Sequence, residues 1–139
     1  MIVRAGPIRR SPARRLTCAV LATALIGIAS GAAAEDPLYP AAQCSAFWLG
    51  YADYAKVSAY LDPDPAAAQA AAAFRSVARR MSGTDAEIDD FIAEQRPLMV
   101  LMMEGYIYGG DRQSREMFER LTGICQDFAK RHPETRDLK

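Results

Sequence analysis

The chain has one histidine, one tryptophan and three cysteines in 139 residues. That scarcity excludes several kinds of chemistry. His132 has no second histidine to help build a tetrahedral zinc site. It stands beside Pro133 and reads as an exposed residue closing a helix. A serine nucleophile would need His132 and an arbitrary serine, and no nucleophile motif accompanies one. No Cys-x-x-Cys pair is present, which argues against a thiol redox centre. Asp89-Asp90 with Glu87 lacks the spacing of a calcium loop. No pair of carboxylates is singled out for glycoside hydrolysis. Strand-like alternation and internal repeats are missing too. The inventory predicts no enzyme and no cofactor.

Long apolar runs are nearly absent, and the clearest one lies at the start. Arg4, Arg9, Arg10, Arg14 and Arg15 form a basic segment without an acid. Residues 16–28 then carry no charge, and Ala32-Ala33-Ala34 fits the small-x-small rule of signal peptidase. Residues 1–34 therefore read as a signal peptide and residues 35–139 as the mature, helical domain. The run is short for a membrane span, which needs ~20 residues, so membrane attachment is expected only if the signal stays uncleaved. Arg14-Arg15 lacks the ending of a twin-arginine signal. Arg15 occupies the place where a lipobox around Cys18 needs an aliphatic residue. The expected location is periplasmic or secreted.

Export changes the charge. The whole chain balances 17 basic against 17 acidic residues, and losing the five signal arginines leaves 12 against 17. A domain of net charge −5 is a poor partner for nucleic acid or anionic lipid. The 105 residues that remain suffice for one core. Export also leaves two cysteines, Cys44 and Cys125, and an even pair in an oxidising compartment reads as a disulfide. The bridge would close a loop of 80 residues. The chain-entropy argument assigns such a loop ~4–5 kcal/mol.

The spacing predicts an all-α bundle of four to five helices. The first covers about residues 41–61, with Cys44, Phe47, Trp48, Tyr51, Ala55 and Ser58 on one apolar face. Asp62-Pro63-Asp64-Pro65 breaks it, and Asp64 caps the next with Pro65 in first place. The second helix, residues 65–81, is alanine-rich. It buries Ala67, Ala71, Phe74, Ala78 and Met81, turns Arg75, Arg79 and Arg80 outward, and closes at Gly83. Thr84-Asp85-Ala86-Glu87 is a capping box for the third. Pro97 should kink or restart that helix, and Gly109-Gly110 should end it. The last helix runs from near Asp111 to before Pro133, with i,i+4 pairs such as Arg112–Glu116 and Asp127–Arg131 outside. Cys44 near the start of the first helix and Cys125 near the end of the last require the two to lie antiparallel, as in an up-down-up-down bundle.

Two stretches could carry binding. Met99, Met102 and Met103 have the spacing of a soft cuprous site, although a methionine stripe on an apolar helix also serves as core. Around Glu104–Asp111, Gly105 inside a helix permits close approach, and Tyr106 and Tyr108 have polar tips that seek partners. Trp48, Tyr51, Met99, Met102, Met103, Tyr106 and Tyr108 form the candidate binding surface.

Three features resemble the periplasmic acid-stress chaperones of the HdeA/HdeB type. They are Cys44-Ser45-Ala46-Phe47 soon after the signal; Pro97 leading an apolar helix into Gly105-Tyr106 and Gly109-Gly110-Asp111; and Cys125-Gln126-Asp127-Phe128 followed by Pro133. The alanine-rich second helix is the departure. The resemblance implies a small exported chaperone that loosens in acid and shields unfolding client proteins or meets another periplasmic protein. The alternative expectation is a small ligand or copper carrier.

Overall fold

A computed structural model describes residues 36–81 and 83–136. The signal-peptide reading of residues 1–34 lies outside them. Four helices account for most of the described chain: α1 (Gln43–Val57), α2 (Pro65–Arg80), α3 (Asp85–Met103) and α4 (Arg112–Arg131). No strand occurs among the described residues. The expected all-α bundle with one disulfide is what the chain builds.

The helix starts follow local chemistry. The Asp64 carboxylate accepts from the Ala66 amide at 2.8 Å, with Pro65 in the first turn of α2. The Thr84 hydroxyl accepts from the Glu87 amide at 3.3 Å, half of the expected capping box. Asp111 accepts from the Ser114 amide at 2.7 Å and starts α4. In α1 no side chain caps the first turn. There the preceding turn, Pro37–Ala42, supplies carbonyls of Leu38 and Pro40 to the Gln43 amide. Ala41 and Ala42 of that turn are fully buried.

Three boundaries differ from expectation. Helix α1 stops at Val57, because Ser58 adopts extended backbone and its hydroxyl accepts from the Tyr60 amide. This is the local competition that makes serine a poor helix interior. Helix α3 runs through Pro97 without restarting. Pro97 and Ala93 are both exposed, so the carbonyl that loses its donor faces water and the penalty shrinks. Gly83 is not a left-handed helix end, since Gly110 is the described glycine with positive φ. What Gly83 provides is room: a Cβ there would come within 2.6 Å of Ile88 Cδ1 and 2.9 Å of Pro37 Cβ.

The bundle is not an even square. Helix α1 is the central element, packed along α2 on one side and α3 on another. Helix α4 packs against α3, the turn that follows α3 and the Pro37–Ala42 turn, and meets α1 over a short crossing. The Cys44–Cys125 bridge lies at this crossing with Cα atoms 5.6 Å apart, a normal bridging distance. One turn along, Phe47 and Phe118 rings lie 5.5 Å apart. Moving forward on α1 thus moves backward on α4, as the pairing required.

Central placement explains why α1 is apolar on more than one face. Ser45, Ala46, Gly50 and Tyr54 are buried together with Cys44, Phe47 and Ala55, whereas Trp48 and Tyr51 are only half-buried. The Ser45 hydroxyl is satisfied by donating to the Ala71 carbonyl of α2 at 2.8 Å. Alanines 67, 71 and 78 are buried on α2, joined by Phe74 and Val77, while Met81 is half-buried. One core cluster gathers Cys44, Ala46, Phe74, Val77, Ile88, Ile92, Cys125 and Phe128 around the bridge. A second holds Phe47, Tyr54, Met99, Met102, Met103 and Leu121.

Candidate functional site

The apolar stretch at the end of α3 unwinds into a wider turn over Glu104–Tyr108. The Gly109 amide donates to the Glu104 carbonyl, five residues back, at 3.0 Å. Such widened turns occur mostly as single insertions in α-helices, often at functional places. Gly105 lets Ser114 of α4 come close there: a Cβ would stand within 2.6 Å of the Ser114 hydroxyl, which would have to turn away. Its carbonyl accepts from the Asp111 amide at 2.8 Å, which ties the turn to the start of α4. The wide turn and the Asp111 cap therefore form one joint.

This joint sends the two tyrosines in different directions. Tyr106 is half-buried and stacks at a tilt on Phe118 of α4, centroids 5.3 Å apart. Tyr108 is 71 % exposed and meets Tyr60, 6.1 Å away, beyond the end of α1. Between them the end of the bundle holds a recess of about 330 Å³, lined by Tyr54, Val57, Tyr60, Val100, Glu104 and Tyr108. Val57, Tyr60 and Leu101 are exposed by 79 %, 65 % and 62 %.

The other candidates separate from this patch. Met99, Met102 and Met103 are buried in the second core cluster. Met99 and Met102 do reach the edge of a groove of about 420 Å³ between α3 and α4, which Met117 also lines. Trp48 and Tyr51 touch each other edge to face at 5.8 Å on α1. Trp48 and Tyr51 pack against the methionine cluster and Tyr106 meets its neighbour Phe118, so six of the seven gather about one core cluster, while Tyr108 stands out on Tyr60. Among the described residues no group of three His, Cys, Asp or Glu side chains is placed to hold a metal ion.

Sequence reasoning missed Val57, Tyr60 and Leu101. A signal was available: residues 98–108 are apolar almost all round, which a helix sustains only when covered on every side. Here one side remains uncovered.

Charge is arranged to tie helices together. Asp53 of α1 takes two hydrogen bonds from the Arg96 guanidinium of α3, one at 2.7 Å, and a third contact from Lys56. Arg96 holds the Asp53 carboxyl below the usual carboxylate range. Arg75 of α2 grips Asp89 of α3 through two bonds of 2.6 Å, and lowers its pKa likewise. Arg79 pairs with Asp85 at 2.5 Å. Arg80 pairs with Glu134 on the short turn Pro133–Thr135. The outward arginines of α2 are therefore clasps to its neighbours.

On α4, Arg112 pairs with Glu116 as expected, at 3.5 Å, but Asp127 takes Lys130 at 2.7 Å. Arg131 sits over the Phe128 ring and also acts on the Asp127 carboxylate through its charge. His132 closes α4 as foreseen, its amide donating to the Phe128 carbonyl, but it is half-buried rather than exposed and stacks on Phe128 with centroids 4.2 Å apart.

No described helix is long and apolar enough to cross a membrane. No protein-family model, curated protein or solved structure matches this chain.

Proposed function

We propose that the mature domain is an exported, non-enzymatic interaction protein, with periplasmic chaperoning in acid as its sharpest form. The observation that carries this reading is the uncovered apolar end of the bundle, where Val57, Tyr60 and Tyr108 stand in solvent around one recess, with Leu101 exposed on α3 as well. Large exposed apolar groups in one region mark interaction sites. Tyrosines add amphipathic contact area that suits unfolded segments of mixed polarity.

The ion pairs support the acid form. Four clasps, Asp53–Arg96, Asp89–Arg75, Asp85–Arg79 and Glu134–Arg80, each tie one helix or turn to another. Each depends on an ionised carboxylate. Protonation removes these ties while leaving 12 basic residues in the mature chain to repel one another. The disulfide keeps the loosened chain joined.

Light scattering of a denaturing client protein, with and without the oxidised domain, tests the reading at pH 7 and at pH 2–3. Suppressed client aggregation in acid, together with added dye-accessible apolar surface, is expected. A domain that stays native and inert in acid would overturn the acid form. Inertness at both pH values would overturn the chaperone reading.

The copper-carrier alternative fares less well. Met103, which reaches no groove, would have to leave a core it shares with Phe47 and Leu121. Cuprous titration with saturable uptake would reinstate it.

A further inference from the structure

A separate cavity of about 220 Å³ opens between α1, α2 and α4. Phe47 and Trp48 form one wall, Ala70 and Phe74 a second, and Cys125 of the disulfide a third. Its surface is almost wholly apolar. Arg136 is the one charged residue among the described lining residues, and it is exposed. Among the described lining residues there is no carboxylate.

We propose that this cavity binds a small amphipathic carboxylate, with the apolar body between Phe47, Trp48 and Phe74 and the carboxylate on Arg136. Size sets the class. An apolar cavity of ~150 Å³ is enough to take up benzene, so 220 Å³ admits a benzene-sized ring with a short tail, or a medium aliphatic chain. Drug-sized ligands need ~300 Å³ or more. Charge sets the head group. A guanidinium presents a planar fork that fits a carboxylate bidentately. The cavity shares no lining residue with the exposed patch on which the chaperone reading rests. Either proposal can fail without the other.

Trp48 is the sole tryptophan of the chain, so its emission reports on this cavity. The test titrates the oxidised chain with 3-phenylpropanoate and with octanoate, each against its neutral alcohol. Saturable changes in Trp48 emission are expected, with each acid about tenfold tighter than its alcohol. The ranking of the two acids separates an aromatic source from a lipid-derived one. Arg136→Gln, an exposed change, should bring acid and alcohol to equal affinity. Ala70→Phe should fill the cavity and abolish binding, with helicity unchanged. The proposal is overturned by no saturable response to either acid, by equal affinity for acid and alcohol in the parent chain, or by undiminished binding in the Ala70→Phe protein.

Discussion

Gly50 of α1 and Met99 of α3 touch backbone to side chain, so closely that a Cβ on Gly50 would overlap Met99 Cβ. The Arg96 carbonyl would lie only 3.2 Å from that same Cβ. Gly50→Ala should therefore destabilise the domain by about 1–2 kcal/mol. Overpacking costs ~1–3 kcal/mol, and the better helix propensity of alanine returns up to ~1 kcal/mol. Thermal unfolding followed by circular dichroism checks the sign. A raised Tm would mean that the two helices separate without cost.

The disulfide joins positions 81 residues apart and sits inside the larger core cluster. Replacing Cys44 and Cys125 together by Ala should cost about 2–5 kcal/mol. Denaturant titration of the double variant, compared with the oxidised parent, measures it. A change under about 1 kcal/mol would show that the packing alone holds α4 in place.

Acid should weaken the fold in a defined window. Hydrogen bonds from Arg96, Arg75 and Lys130 hold Asp53, Asp89 and Asp127 below the ordinary aspartate value, and Ser114 does the same for Asp111. A carboxyl with a depressed folded pKa contributes stability that is complete above its unfolded pKa, near 4, and is lost as pH falls through the folded value. Tm should be level from pH 7 to about pH 5 and fall below about pH 4. Asp53→Asn should start lower and fall less steeply. An identical slope would show that the Asp53–Arg96 pair carries none of the effect.

Thr122 offers a change in the opposite direction. Its hydroxyl is cut off from solvent and has no hydrogen-bond partner among the described residues. A buried polar atom left unpaired costs ~1–3 kcal/mol. Thr122→Val keeps the shape and removes that atom, so Tm should rise by a few degrees in a domain of this size. A fall would reveal a partner such as a bound water.

The exposed patch separates binding from stability. Leu101→Ser with Tyr108→Ser removes apolar surface that water already reaches. Such surface changes stay near ±0.5 kcal/mol in stability. Client protection should nonetheless drop severalfold in the scattering assay. Unchanged protection would move the binding surface elsewhere on the domain.

Much of the fold was legible because it is written in local rules. Asp64-Pro65, Thr84 with Glu87, and Asp111 each place a helix start through hydrogen bonds within a few residues. The cysteine pair foretold which helices must meet. What was not legible depended on neighbours. Pro97 costs its helix less when the orphaned carbonyl can reach water, and exposure at Ala93 was not visible beforehand. Tyr54 and Gly50 lie off the apolar stripe drawn on α1, because a stripe presumes one covered face and α1 has more. The candidate site was read least well. Methionine spacing is the same for a metal ligand set and for a core, and only packing decides. The exposed end of the bundle followed from where α1 stops, which hung on the backbone of Ser58.

The central position of α1 also sets how this chain tolerates change. A helix enclosed by its neighbours has few sites where a bulkier or polar side chain fits, whereas the outer face of α4 looks onto water. A library of single substitutions should thus show a gradient, with functional variants rare between Cys44 and Ala55 and common along Gln113, Glu116 and Arg120. Sequences related to this one should drift fastest on the last helix. Its ancestry would be easiest to trace through the first.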